Sequence, residues 1–101
     1  EKNGKRNEII NERRVALKKA FNNFSSYIFY NYNIELEENM TLREYFNNIM
    51  EKRRDIRDKL ERILNLIEKE IYGKGLDEEE FSYLIRLLLG DYRWFQSSIL
   101  V

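Results

Sequence analysis

Apolar residues keep a helical rhythm along most of this chain. From about Asn7 to Tyr32, the side chains Ile10, Leu17, Phe21, Phe24 and Ile28 recur on one helical face, with Ala20 and Tyr27 flanking the stripe. That spacing predicts a long amphipathic helix. Asn31-Tyr32-Asn33 is expected to end it, since Asn competes for backbone hydrogen bonds and tolerates left-handed geometry. Ile34 to Met40 then reads as an acidic connector holding Glu35, Glu37 and Glu38.

A second helix is predicted from Thr41. Glu44 stands three residues after it, the capping-box spacing, and Leu42, Tyr45, Phe46, Ile49 and Met50 share one face. No Gly or Pro follows, so this helix either stops near Lys52 or runs straight into the next. Ile56, Leu60, Ile63, Ile67 and Ile71, with Leu64 beside them, mark that third helix. On its outer face Asp55 precedes Lys59 and Asp58 precedes Arg62 at four-residue spacing, the favourable order for helical ion pairs. Gly73 and Gly75 supply a stop and a turn, Asp77 an N-cap, and Glu78 to Glu80 suit the positive end of a helix. Phe81, Leu84, Ile85 and Leu88 line the fourth helix, interrupted at Gly90.

These elements define an all-α fold, a compact bundle of four helices with a short fifth allowed for at the C-terminal end. Residues 1–8 are polar, basic and carry Gly4, and are expected to be a flexible lead-in, with 9–101 as one helical domain. The tail from Asp91 to Val101 holds Trp94, Phe95, Ile99, Leu100 and Val101, too apolar to be left in water. The expected core is Leu17, Phe21, Phe24, Leu60, Ile63, Ile67, Phe81, Leu84 and Leu88. Phe29 and Tyr30 fall off the main stripe. With Trp94 and Phe95 they are candidates for an interaction surface, or for closing the core under the tail.

Composition narrows the chemistry. The 101 residues include 18 basic and 18 acidic side chains, so the formal charge is zero. A domain whose main partner is a polyanion usually carries a clear basic excess, so no nucleic-acid partner is expected. The chain has no Cys, His or Pro. Thiol chemistry, histidine-ligated metals, disulfides and Ser-His-Asp triads are thereby excluded within it. Catalytic, metal-binding and cofactor-binding residues are accordingly all expected to be none. Gly73-Lys74-Gly75 lacks the spacing and the preceding strand of a phosphate loop. The basic runs Arg13-Arg14-Lys18-Lys19 and Lys52-Arg53-Arg54-Arg57 read as solvated faces, the second interleaved with Glu51, Asp55 and Asp58. No apolar run approaches the roughly 20 residues of a membrane span, and no charged-then-apolar leader opens the chain. An opening Glu1 rather than Met is what a piece of a longer protein would show.

Three motifs carry a family resemblance. Arg13-Arg14-x-Ala16-Leu17, Thr41-Leu42-Arg43-Glu44-Tyr45, and Ile71-Tyr72-Gly73 followed by Leu76-Asp77-Glu78-Glu79 together resemble the punctuation of one helical family across about residues 7–89. It is the domain of unknown function 4129 family, the C-terminal helical domain found after transglutaminase-like domains of bacterial and archaeal membrane proteins. Leu42 stands where that pattern has Pro, and Glu70-Ile71 where it has Ala-Arg. The resemblance implies a non-catalytic accessory domain, not an enzyme, on the cytoplasmic face of the membrane, whose partner is a protein or the rest of its own parent chain. Lys2, Lys5, Arg6, Arg13 and Arg14 would then be membrane-proximal basic residues, since residues 1–20 hold seven basic against three acidic side chains. The alternatives are a stand-alone homodimeric adaptor of plasmid or viral type working through its Tyr/Phe-rich face, and a weak nucleic-acid binder.

Overall fold

In the computed structural model the backbone is described for residues 2–96 and the side chains for residues 11–95. Among them lie five helices and no strand: α1 (Lys2–Tyr32), α2 (Leu42–Lys52), α3 (Arg57–Tyr72), α4 (Glu78–Leu89) and the short α5 (Arg93–Gln96), with a single 3-10 turn, Arg54–Ile56, before α3. The all-α bundle is as the periodicity predicts. The long helix starts at Lys2, ahead of the Asn7 marked by the apolar stripe, and runs through Asn3, Gly4 and Asn7, which are weak helix formers.

The ends of the helices follow their local chemistry. Asn33 takes φ 56°, and its N–H donates to the Phe29 carbonyl at 2.9 Å, which terminates α1 where the Asn residues suggest. Thr41 and Asp77 both close full capping boxes. The Glu44 N–H donates to Thr41 Oγ1 at 3.1 Å while the Thr41 N–H donates to Glu44 Oε1 at 2.8 Å. At the other cap the Glu80 N–H donates to Asp77 Oδ1 at 2.7 Å, and the Asp77 N–H to Glu80 Oε1 at 3.1 Å. Thr41→Ala and Asp77→Ala should each lower stability by about 1 kcal/mol in urea unfolding. No change in either would mean that these caps do not form in solution. Hydrogen bonds from Thr41, its backbone N–H first and its side chain second, hold the Glu44 carboxyl below the ordinary value of 4.5. A depressed carboxyl stabilises above its unfolded pKa, so this contribution is present at neutral pH and is lost as the pH falls through the lowered value.

Packing joins α1 to α4, α2 to α3, and α3 to α4. The gap between α1 and α2 is spanned by rings, Phe21 on Tyr45 at 6.0 Å and Phe24 on Phe46 at 5.9 Å between centroids. Phe24 is the hub, with Phe21, Phe46, Tyr92, Trp94 and Phe95 around it. Seven of the nine expected core residues are buried. Phe21 and Phe81 are only partly covered, and both lie beside the groove described below. Ile71 departs from its stripe. It is 53% exposed, because the last turn of α3 runs past the end of the core.

The break between α2 and α3 is tertiary in origin. Arg53, expected on a solvated basic face, is buried instead. Its Nε and Nη2 donate to the two carboxylate oxygens of Asp55 at 3.0 and 2.9 Å, and its Nη1 donates to the Tyr32 hydroxyl at 2.7 Å. Its guanidinium also sits 4.9 Å from the Phe95 ring centroid. These bonds favour the charged form and hold the guanidinium pKa even higher than usual, the Asp55 hydrogen bonds most of all. Asp55 is thus engaged across the break by Arg53 rather than reserved for Lys59, and Arg62 lies over the Tyr83 ring at 5.5 Å.

The described part of the C-terminal tail, residues 91–95, packs back onto the bundle. Tyr92 adopts φ 58°, a left-handed conformation unusual for an aromatic residue. Its hydroxyl donates to the Leu88 carbonyl and accepts from Asn23 Nδ2, and its ring stacks on Tyr27 at 4.2 Å. Those contacts compensate a strained backbone and deliver Trp94 and Phe95 onto the open end of the bundle. Ile99, Leu100 and Val101 lie outside the described residues. Tyr45 is the opposite case, fully buried with a hydroxyl that has no partner among the described residues. Burial pushes its phenol pKa upward. Tyr45→Phe should therefore stabilise the fold, by about 1 kcal/mol, as an unsatisfied buried hydroxyl is removed. A destabilised Phe variant would show that the hydroxyl has a partner in solution.

Candidate interaction surface

The middle of α1 and the turn between α3 and α4 enclose an open groove of about 740 Å³. Leu17 and Phe21 from α1, Ile67 from α3 and Leu76 from the turn make its floor. Ile71 and Tyr72, 53% and 78% exposed, stand along one wall. Three cations ring it: Arg14 and Lys18, one helical turn apart on α1, and Lys74 between the two turn glycines. None of the three forms an ion pair among the described residues.

The turn is held in place by Arg13. Its Nη2 donates to Glu70 Oε1 at 2.9 Å and to the Leu76 carbonyl at 2.7 Å, and its guanidinium covers Phe81 at 4.4 Å. Glu70 Oε1 also accepts from the Leu76 N–H at 2.9 Å, so one carboxylate ties α1, α3 and the turn together. Gly73 and Gly75 make the path sterically open. A Cβ at Gly73 would stand 2.9 Å from the Lys69 carbonyl oxygen, and Gly75 has φ 90°. The glycine–lysine–glycine segment is a helix stop, as its spacing implies, and it also presents Lys74 at the groove.

The structure separates the residues that sequence reasoning grouped together. Phe29 and Tyr30 are exposed, at 46% and 89%, on the outer face of α1. Phe95 is fully buried and so leaves the exposed set, while Trp94 is half-buried, stacked on Phe24 with its Nε1 donating to the Leu87 carbonyl at 3.2 Å. These two close the core under the tail. Arg13 is likewise a structural tie rather than an available membrane-proximal charge, whereas Arg14 is exposed. The side chains of Lys2, Lys5 and Arg6 lie outside the described ones. Lys18 and Lys74 carry the rim with Arg14, and the signal for the first was the Arg14–Lys18 spacing above a Leu17/Phe21 stripe.

Fold and surface together define a small helical bundle with an apolar, cation-rimmed groove. No family model, curated protein or solved structure gives a significant match to the chain. Among the described residues no group of three or more Asp, Glu, His or Cys side chains is placed to hold a metal ion, and no helix is long and apolar enough to cross a membrane.

Proposed function

We propose that this chain is a non-catalytic protein-interaction module whose groove takes an acidic, amphipathic helical segment. The observation that supports this most is the pairing of an apolar floor with three cations that form no ion pair among the described residues. An amphipathic helix lays its apolar face into such a groove, and carboxylates along its edge would meet Arg14, Lys18 and Lys74. Calorimetric titration with two designed helical peptides, sharing one apolar face but edged with Glu or with Lys, tests the reading. The Glu peptide should bind, and Arg14→Glu with Lys18→Glu should weaken it at least tenfold. Binding of neither peptide, or equal binding of both, would overturn it.

The motif resemblance extends the proposal to an accessory domain of a membrane-anchored transglutaminase-like protein, on the cytoplasmic face, with the bound segment supplied by the parent chain. Its support is the three motifs and the basic excess of residues 1–20. Thr41, Glu44, Gly73 and Asp77 within those motifs also have structural roles as caps and turns. A topology reporter fused after Val101 in the full-length protein would be active only inside the cell; activity that requires export would rule this placement out. Nucleic-acid binding should be weak and salt-sensitive at most, given zero net charge. Micromolar or tighter binding to a mixed-sequence duplex at physiological salt would reverse that ranking.

A further inference from the structure

The outer face of α1 points to a partner of its own. Leu17, Ala20, Phe24 and Ile28 face the core, so the opposite line of the helix passes through Val15, Lys18, Asn22, Ser26 and Phe29. These positions are symmetric about Asn22: Lys18 and Ser26 stand four residues either side of it, Val15 and Phe29 seven. Seven residues are two helical turns less about 20°, so Val15 and Phe29 lie close to the same outward line. Val15 is 66% exposed and Phe29 46%, and Tyr30 beside Phe29 is 89% exposed. Between these two apolar ends only small or polar side chains intervene.

Charge along the same helix is segregated. Residues 2–19 of α1 hold seven basic side chains against Glu8 and Glu12, residues 20–34 carry no charge, and Glu35, Glu37 and Glu38 follow its end. The acidic segment folds back along the helix, Glu35 sharing a cleft with Phe29 and with Ser26, which lies about 12 Å along α1 from Lys18. A parallel copy would set base against base and acid against acid. An antiparallel copy sets each basic end beside the other's acidic end.

We infer that two copies of this chain associate antiparallel along the outer face of α1, about a two-fold axis at Asn22. Val15 of one copy packs on Phe29 and Tyr30 of the other, twice over, as a closed symmetric interface demands. The receiving surface is a cleft of about 300 Å³ lined by Ser26, Phe29, Tyr30, Ile34, Glu35 and Leu36. Arg14, Lys18 and Lys19 surround the incoming rings, where cations favour aromatic faces, and lie within reach of Glu35, Glu37 and Glu38. Asn22 meets its own copy at the axis, where paired amides can exchange hydrogen bonds.

Arg14 and Lys18 border both surfaces, but Val15 and Phe29 do not line the cation-rimmed groove, so substitutions at these two test the pairing separately from peptide binding. Sedimentation equilibrium of the full chain should give twice the monomer mass at about 100 µM. Val15→Glu and Phe29→Glu should each raise the dimer Kd at least tenfold while leaving the helical circular dichroism unchanged, since both side chains are exposed. Because the chain has no Cys, Val15→Cys and Phe29→Cys introduce single thiols that report direction. Mixed under oxidising conditions, the two variants should cross-link to each other in preference to themselves. A monomer at that concentration, undiminished association in both Glu variants, or a predominance of Val15→Cys self-cross-links would overturn the antiparallel pairing.

Discussion

Phe24→Ala should be the most damaging single substitution tested, lowering stability by about 4 kcal/mol in urea unfolding. Phe24 is fully buried and touches Phe21, Phe46, Tyr92, Trp94 and Phe95, rings contributed by α1, α2 and the C-terminal tail. Truncation removes the apolar area of one ring and also leaves a cavity that five stiff neighbours cannot collapse to fill. A domain of this size typically has about 5–15 kcal/mol of stability in total, so the variant would stand near the edge of folding. Phe24→Leu, which keeps most of the volume, should recover over half of the loss. A loss under about 1 kcal/mol for the Ala variant would mean that the aromatic cluster is loosely packed and that Phe24 is not its hub.

Arg53→Ala is expected to cost about 2–3 kcal/mol. A fully buried ion pair that loses one partner costs about 3–5 kcal/mol, because a bare charge is stranded in the interior. Here the acid left behind is partly hydrated, since the Asp55 side chain is 41% exposed, which moderates the penalty. The same substitution strands the Tyr32 hydroxyl and uncovers one face of Phe95. Arg53→Lys should recover little, because an ammonium cannot meet a carboxylate bidentately, reach Tyr32 and cover a ring at once. The two variants together separate charge from shape. Losses below about 0.5 kcal/mol, the scale of an exposed pair, would show that Arg53 is solvated after all.

Much of the architecture was legible because its determinants are local. Thr41 with Glu44, Asp77 with Glu80, and Gly73 act over three or four residues, and those distances are set by helix geometry whatever the rest of the chain does. The apolar stripes were legible for the same reason. Leu17, Phe24, Leu60, Ile63 and Ile67 are buried because a helix turning every 3.6 residues can bury only one face.

Of the candidate surface, the exposed pair Phe29 and Tyr30 and the cation spacing Arg14–Lys18 could be read from the helical phase. Arg53 could not. Its hydrogen-bond partner Tyr32 ends α1, and the ring it covers, Phe95, belongs to the tail, so its burial exists only once three distant segments have met. Nor could periodicity tell Tyr30 from Phe95, two aromatics whose opposite fates depend on which space remained to be filled. Helix positions, caps and one-sided faces were thus determined by the sequence alone, since backbone hydrogen bonding and side-chain period are short-range. The tertiary structure alone decided the buried cation, the tail that closes the bundle and the groove beside Lys74, because each depends on the shape left by side chains far apart in the chain.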